Sequence, residues 1–175
     1  GPAGLSFSRA LADSDLNVTL VEQSPEAVLA DPPYDGREIA LTHLSKEIMQ
    51  RLTLWQRVYS AHIYRLRDAK VVNGRSPYQL HFPQPQQARG GPTDCLGYLI
   101  ANHHIRQAAY QAVKEMPRVQ LRCGVAVQNV ATDTQQVQVT LNNGVCLSAR
   151  LLVAADSRFS ATRRQLGIAA DMHDF

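Results

Sequence analysis

The chain has 175 residues, 45% hydrophobic and 19% charged, so it can bury a core and has the composition of a globular domain. Its net charge of +3 is too small to indicate nucleic-acid binding, and its apolar runs are too short to predict a transmembrane helix. The three cysteines, Cys95, Cys123 and Cys146, have no metal-ligand spacing and cannot all pair, which favours a reducing compartment.

The first 22 residues contain half of a dinucleotide-binding fingerprint. Gly1 and Gly4 have the spacing of the last two glycines of G-x-G-x-x-G, and Glu22 stands where the ribose-binding carboxylate belongs. Gly1 would let the backbone approach a pyrophosphate, and Gly4 would let a helix pack on a strand. Pro2 suits the first helical turn, and Ala3 begins the apolar stripe of that helix. The alternative interpretation is the remnant of an ordinary turn.

Hydrophobic periodicity predicts alternating elements in the first third of the chain. Residues 2–14 are predicted to be a helix, and residues 18–22 a strand buried in a parallel sheet. Residues 23–36 contain three prolines and a glycine, which predicts a loop. Residues 44–53 have apolar side chains at helical spacing.

The pattern in the middle of the chain predicts strands followed by a helix. Residues 61–70 and 78–83 are predicted strands, with the turn signal Asn73-Gly74 between them. Residues 84–95 are predicted to be an exposed loop, and residues 103–115 a helix.

The last third changes to short strands. The predicted strands are residues 119–123, 125–130, 137–141 and 145–148, the last two joined by a strong hairpin signal at 142–144. Residues 151–156 form a nearly continuous apolar run, which predicts a strand buried on both faces. Residues 157–166 are predicted to be a helix that ends at Gly167.

Three separated motifs together resemble one enzyme family. They are Gly1-Pro2-Ala3-Gly4 with Glu22, the stretch Asp35-Gly36-Arg37-Glu38-Ile39-Ala40-Leu41, and the stretch from Ala155 to Arg163. They resemble the FAD-dependent aromatic hydroxylases of the p-hydroxybenzoate hydroxylase type. The third stretch matches that family's D-G-x-x-S-x-x-R motif, except that Ser157 replaces the glycine. The second stretch and the helix start Asn102-His103-His104 look most like the ubiquinone-biosynthesis branch.

The resemblance implies an α/β, Rossmann-like FAD-binding fold, with a βαβ unit, a parallel sheet and an antiparallel β-meander. It implies that residues 1–60 and 96–175 belong to an incomplete FAD-binding domain. Residues 61–95 would be a partial excursion into the substrate-binding β region. Because the similarity covers only the N-terminal part of such an enzyme, the chain is expected to be a truncated fragment that is inactive alone.

The resemblance also implies which residues bind the cofactor. Glu22 would accept hydrogen bonds from the adenosine ribose, and Arg37 would lie near the FAD phosphates. The alternative for Arg37 is a surface position paired with Asp35 or Glu38. Asn102 would reach the ribityl–phosphate region and could also cap its helix. The full set of cofactor-binding candidates is Gly1, Pro2, Ala3, Gly4, Glu22, Gln23, Arg37, Asn102, Arg106, Val125 and Asp156.

Arg106 has an open alternative, and the position after Asp156 is unusual. Arg106 would meet the phosphates or lie on the surface, and Val125 would line the adenine through its backbone. Asp156 belongs to a motif that the family uses beside the FAD pyrophosphate and for NAD(P)H. If the position of Ser157 requires a positive φ, serine is strained there. Three arginines make the next helix basic, and they are expected to form a solvent-exposed face: Arg158, Arg163 and Arg164.

Other polar residues do not form a recognisable catalytic or metal site. The six histidines have no metal-ligand pattern. His103 and His104 are adjacent, so their side chains are expected to point in different directions on a helix. Neither a metal nor a catalytic residue is assigned.

The implied activity is hydroxylation of an aromatic ring with FAD, NAD(P)H and O₂. The substrate would be a polyprenylated phenol of ubiquinone biosynthesis, and no nucleic acid is expected as a partner. A cytoplasmic protein is expected, with peripheral contact to the inner membrane and assembly with other quinone-pathway enzymes as further expectations. One alternative is another flavin oxidoreductase of this fold that acts on a small phenol or an alkene. A second is a non-catalytic nucleotide-binding module.

Overall fold

The computed structural model describes residues 1–88, 91–171 and 173, with residue 88 described by its backbone alone. The helices are α1 (Pro2–Ala10), α2 (Glu26–Ala30), α3 (His43–Arg51), α4 (Asn102–Lys114) and α5 (Ala161–Gln165), with single 3₁₀ turns at Trp55–Arg57 and Ser60–His62. The strands are β1 (Val18–Glu22), β2 (Glu38–Leu41), β3 (Tyr64–Leu66), β4 (Ala69–Val72), β5 (Gln79–Phe82), β6 (Gln87–Ala88), β7 (Gly91–Pro92), β8 (Gly97–Ala101), β9 (Val119–Cys123), β10 (Val127–Thr132), β11 (Val137–Leu141) and β12 (Cys146–Ala149).

The chain divides into two compact units. The first unit consists of Gly1–Ala30 and Val113–Phe175, and the second of Asp31–Ala112. None of the helices that the structure describes is long and apolar enough to span a membrane.

The first unit combines a parallel strand pair with an antiparallel meander. Strands β1 and β9 run parallel, with Val18 opposite Val119 and Glu22 opposite Cys123. Strands β10, β11 and β12 form an antiparallel sheet in that order. Its buried side chains, including the fully buried Leu141, make a small apolar core. This mixture of parallel and antiparallel sheets confirms the predicted α/β class and the predicted meander.

The second unit is built on an antiparallel sheet with β8 at its centre. Strand β8 pairs with β2 on one side and with β3 on the other. Leu41 lies opposite Tyr98, and Leu66 lies opposite Gly97. Ile100, in the middle of β8, is completely buried. Strand β2 leads directly into α3, whose N-cap Thr42 accepts a hydrogen bond from the Ser45 backbone N–H at 3.1 Å.

A hairpin in the second unit exposes an apolar face. The predicted strand over residues 61–70 is in fact two strands, because β3 pairs with β8 whereas β4 pairs with β5. The hairpin β4–β5 turns at Gly74, whose φ is 51°, as the Asn73-Gly74 signal predicted. Because residues opposite each other share a face, Val71 and Leu80 lie on the same side, and both are exposed.

The predicted loop over residues 23–36 contains the short helix α2. Pro25 directly precedes this helix, at a position where a backbone N–H is not needed. The proline that was interpreted as a loop signal therefore belongs to the start of a helix.

Helix α1 is shorter than predicted, because turns follow Ala10 and the Ser14 hydroxyl donates to the Leu11 carbonyl at 2.6 Å. In the predicted loop over 84–95, β6 pairs with β7, while residues 89 and 90 lie outside the described part.

The predicted strand over residues 151–156 is absent from the described structure. Residues 151–155 have no regular secondary structure, and the Leu151 and Val153 side chains are exposed. Leu152 packs on the meander core, so part of the apolar run is partly buried although it pairs with no described strand. The helix predicted over residues 157–166 begins only at residue 161, because Ser160 caps it through the Arg163 N–H at 2.9 Å.

Candidate functional site

The first turn of α1 offers free backbone donors. The helix begins at Pro2 with Gly1 in the N-cap position, and among the described residues no side chain caps it. The first turn itself contains no acidic residue. A Cβ built on Gly1 would meet no described atom within 4 Å, which leaves the backbone open to a ligand. This arrangement suits an anion, as the glycine spacing predicted.

Glu22 lies beside this helix start, at the end of β1. Its Oε2 accepts a hydrogen bond from the Gly1 nitrogen at 2.6 Å, and its Oε1 accepts one from the Ser24 N–H at 3.0 Å. Burial raises the pKa of Glu22, whereas the hydrogen bonds that its carboxylate accepts, including the one from Ser24, lower it. An ionised carboxylate here can accept hydrogen bonds from hydroxyl groups. Gln23, the next residue, is exposed.

The loop after β9 closes against the end of β1. The Gly124 N–H donates to the Ser24 carbonyl at 3.0 Å, and the Val125 N–H donates to the Glu22 carbonyl at 3.3 Å. Val125 is therefore held next to Glu22, and its side chain packs on the meander core. Its predicted contact with an adenine ring remains a prediction.

Asp156 and Ser157 form a strained turn before α5. The Asp156 Oδ2 accepts a hydrogen bond from the Thr162 N–H at 3.1 Å. Burial raises the pKa of Asp156, whereas hydrogen bonds from Ser160 and Thr162 lower it by more. Ser157 has a φ of 85°, the left-handed region that favours glycine. This turn therefore does require a positive φ, and serine occupies it at a conformational cost.

In the second unit, Asp35 connects two of the predicted cofactor ligands. The Arg37 Nε and Nη2 atoms donate hydrogen bonds to Asp35 Oδ2 at 3.0 and 2.5 Å. The Asn102 side-chain amide donates to the same oxygen at 2.7 Å, and the Asn102 backbone N–H donates to the Arg37 carbonyl at 2.9 Å. Gly36 makes the turn possible with a φ of 72°. The structure thus brings Arg37 and Asn102 together.

Asp35 was not among the predicted site residues, but it was named as a partner of Arg37 in the alternative interpretation, and the structure contains that exposed pair. The Arg37 N–H donates to Asp35 Oδ1 at 3.2 Å, which is the hydrogen bond of an Asx turn. An aspartate two residues before an arginine, with a glycine between, is the pattern that predicts such a turn. Asn102 was expected to precede its helix and to cap it. Instead α4 begins at Asn102 itself, and the side chain bonds to Asp35. Arg106 lies one turn later and is half-buried.

The expectation that His103 and His104 point apart is wrong. Their ring centroids are 3.9 Å apart, and the His104 ring also stacks on His62 at 4.0 Å. Burial and the neighbouring imidazoles lower the pKa of His104. Within residues 1–88, 91–171 and 173, no group of three or more His, Cys, Asp or Glu side chains is arranged to hold a metal ion.

The donors and acceptors of each unit, considered separately, suit parts of a flavin dinucleotide. Free N–H groups at a helix start suit a pyrophosphate, and an ionised carboxylate at a strand end suits ribose hydroxyls. The planar guanidinium of Arg37 and the amide of Asn102 suit phosphate and hydroxyl oxygens.

Comparison with known proteins agrees with this chemistry. The chain is 63% identical to ubiquinone hydroxylase UbiM of Neisseria meningitidis over all 175 residues. It is 31% identical to ubiquinone hydroxylase UbiL of Rhodospirillum rubrum over 96% of this chain. In both cases it spans 38% of the relative's length.

Among solved structures, p-nitrophenol 4-monooxygenase PnpA from Pseudomonas putida DLL-E4 has the same fold, with a TM-score of 0.76 at 19% identity. That match covers 95% of this chain and 41% of the other. Residues 1–174 match the protein family described as FAD binding domain. The chain therefore belongs to the FAD binding domain family.

Proposed function

We propose that this chain is the FAD-binding part of a monooxygenase that hydroxylates an aromatic ring with NAD(P)H and O₂. The proposed substrate is a polyprenylated phenol of ubiquinone biosynthesis. The observation that carries this proposal is the 63% identity, over the whole chain, to a protein named as a ubiquinone hydroxylase. Because the chain spans 38% of that relative, the activity belongs to the complete protein.

The residues of this chain would bind and orient the cofactor. The start of α1, from Gly1 to Gly4, would hold the pyrophosphate, and Glu22 would accept hydrogen bonds from the adenosine ribose. Arg37 and Asn102 would contact the phosphate and ribityl side. Bound FAD would supply the hydride acceptor for NAD(P)H and the site of O₂ activation. The protein would supply binding, orientation and exclusion of water.

Further proposals concern the organisation and surroundings of the complete protein. Residues 61–95 would belong to the substrate-binding region, which agrees with a hairpin whose strands β4 and β5 pair only with each other among the described strands. Residues 1–60 and 96–175 would belong to the FAD-binding domain. A polyprenyl substrate partitions into the membrane, so we propose a cytoplasmic protein with peripheral contact to the inner membrane and to other quinone-pathway enzymes.

Purification of the complete protein tests the proposal. A yellow protein with a flavin spectrum is expected, and its NAD(P)H oxidation should be stimulated by a prenylated phenol. A colourless protein that acquires no flavin spectrum with added FAD would overturn the monooxygenase function. A flavoprotein stimulated only by small phenols or alkenes would overturn the substrate assignment. A flavoprotein with no turnover on any phenol or alkene would indicate a non-catalytic binding module.

A further inference from the structure

One oxygen atom of Asp35 organises the polar cluster in the second unit. Asp35 Oδ2 accepts hydrogen bonds from Arg37 Nε at 3.0 Å, from Arg37 Nη2 at 2.5 Å and from the Asn102 amide at 2.7 Å. The other carboxylate oxygen accepts the Arg37 backbone N–H at 3.2 Å. Both the side chain and the backbone of Arg37 are therefore fixed by the same carboxylate.

The geometry leaves most of the guanidinium available. A guanidinium has five N–H donors, and Asp35 engages one on Nε and one on the adjacent nitrogen. The remaining three donors are not engaged by Asp35. The Arg37 side chain is 66% exposed, whereas that of Asp35 is 23% exposed. Arg37 is thus the more exposed partner of the pair, and its side chain is accessible to a ligand.

The carboxylate stays charged over the whole physiological range. The hydrogen bonds from Arg37 and Asn102 hold the pKa of Asp35 well below its usual range. The same contact raises the pKa of Arg37. Asp35 therefore keeps a charged acceptor in place while Arg37 remains a full cation.

We propose that Asp35 is a positioning residue for FAD binding, which holds Arg37 and Asn102 in the orientation that receives the phosphate and ribityl oxygens. This inference rests on the proposed function, because it takes Arg37 and Asn102 as FAD ligands. An exposed arginine samples many rotamers, and fixing it costs entropy when a ligand binds. Asp35 removes that cost beforehand, because the side chain is ordered before the cofactor arrives. Asp35 itself does not contact FAD in this arrangement.

Fluorescence titration of the complete apoprotein with FAD tests the proposal. Asp35→Asn removes the negative charge and replaces one acceptor oxygen by an NH2 group, which cannot accept a hydrogen bond. FAD affinity should therefore fall about tenfold. Asp35→Ser keeps an acceptor for the Arg37 N–H and so preserves the turn, and it should weaken FAD binding similarly. Asp94→Asn is the matched control, because it breaks an exposed arginine pair in the same unit, Arg65–Asp94 at 2.6 Å. Its FAD affinity should equal that of the wild type.

A double-mutant cycle separates positioning from a general structural role. If Asp35 acts through Arg37 and Asn102, Asp35→Asn should have little further effect on FAD affinity in an Arg37→Ala/Asn102→Ala background. An equal loss of affinity in the wild-type and double-variant backgrounds would overturn the proposal, because Asp35 would then act independently of both residues. Unchanged affinity in Asp35→Asn and Asp35→Ser, with a loss in Arg37→Ala, would also overturn it and would leave the proposed role of Arg37 intact.

Results that contradict the proposed function differ from those that contradict the role of Asp35. A wild-type protein that does not bind FAD would overturn the proposed function before any variant is compared. Unchanged affinity in the Arg37→Ala/Asn102→Ala variant would remove both residues from the cofactor site and the role of Asp35 with them. Melting temperatures of each apoprotein variant identify any variant that has lost its fold.

Discussion

A Cβ atom on Gly97 would lie 2.2 Å from the carbonyl oxygen of Leu41, far inside van der Waals contact. The two residues belong to the neighbouring strands β8 and β2, in which Leu41 lies opposite Tyr98. Because the obstructing atom belongs to the backbone of a paired strand, it cannot move aside without disturbing the sheet.

We therefore expect Gly97→Ala to lower the free energy of unfolding by about 3 kcal/mol, measured by urea denaturation. Gly4→Ala is the control, because its Cβ would meet the Ala155 Cβ at 3.5 Å, an ordinary contact. Alanine is also a better helix former than glycine, so this variant in the first turn of α1 should be neutral or stabilised. Equal losses in the two variants would contradict the close approach at Gly97.

The end of α3 contains a β-branched residue where glycine is preferred. The Leu54 N–H donates to the Met49 carbonyl at 2.8 Å and the Thr53 N–H to the Gln50 carbonyl at 3.0 Å, which is a Schellman motif. Thr53 has a φ of 58° in this motif. Thr53→Gly should raise the free energy of unfolding by about 1 kcal/mol, measured by thermal or urea denaturation.

The end of α5 provides the reciprocal control. The Gly167 and Ile168 N–H groups donate to the Arg164 and Arg163 carbonyls in the same pattern, and Gly167 has a φ of 68°. Gly167→Thr should therefore destabilise the protein by a similar amount. If Thr53→Gly is destabilising, the side chain of Thr53 contributes more than its backbone strain costs.

Ser157 is the second non-glycine residue at a positive φ among those described. Ser157→Gly should raise the free energy of unfolding by about 1 kcal/mol, because glycine reaches a φ of 85° without a steric penalty. Ser157→Ala keeps the Cβ and so should not be stabilised. A gain in the alanine variant equal to that in the glycine variant would show that the hydroxyl, rather than the backbone, is unfavourable.

The role of Glu22 can be tested through cofactor affinity. Glu22→Gln removes the charge that makes the carboxylate a strong acceptor for ribose hydroxyls, so the FAD dissociation constant should rise about tenfold. Glu26→Gln is a suitable control, because Glu26 is exposed and pairs with Lys114 at 3.3 Å. An unchanged dissociation constant in Glu22→Gln would rule out the ribose contact.

Asp156 should give a pH-dependent contribution to stability. Its pKa is lower in the folded protein than the ordinary value of 3.8, so its ionised form stabilises the fold above that value. As the pH falls from 3.8 towards the folded pKa, this contribution is lost. The free-energy difference between wild type and Asp156→Asn, measured by urea denaturation, should therefore be constant near neutral pH and shrink in acid. A difference that does not change with pH would contradict this role.

Elements set by local chemistry could be predicted from the sequence. The strand over 18–22 was predicted with its observed bounds, and the hairpin signal at 142–144 lies between β11 and β12. Gly167 stops α5 in the left-handed conformation that the prediction required. In each case one short segment contains all the information, either in its apolar pattern or in its turn residues.

Features that depend on distant partners could not be predicted. The apolar run over residues 151–156 has the composition of a buried strand, but a strand also needs a neighbour to pair with, and none of the described strands pairs with it. The same limit applies at Asp35, whose partner Asn102 is 67 residues away. The Asx turn at Arg37 was readable from the sequence, whereas the bond to Asn102 was not.

The contact between Asp35 and Asn102 also has a kinetic consequence. A bond across 67 residues closes a long loop, and closure of long loops delays the contacts that depend on them. The hairpin β4–β5 can form locally, whereas the Asp35 cluster must wait for β2 to pair with β8. We therefore expect the orientation of Arg37 to be acquired late in refolding, after most of the secondary structure has formed.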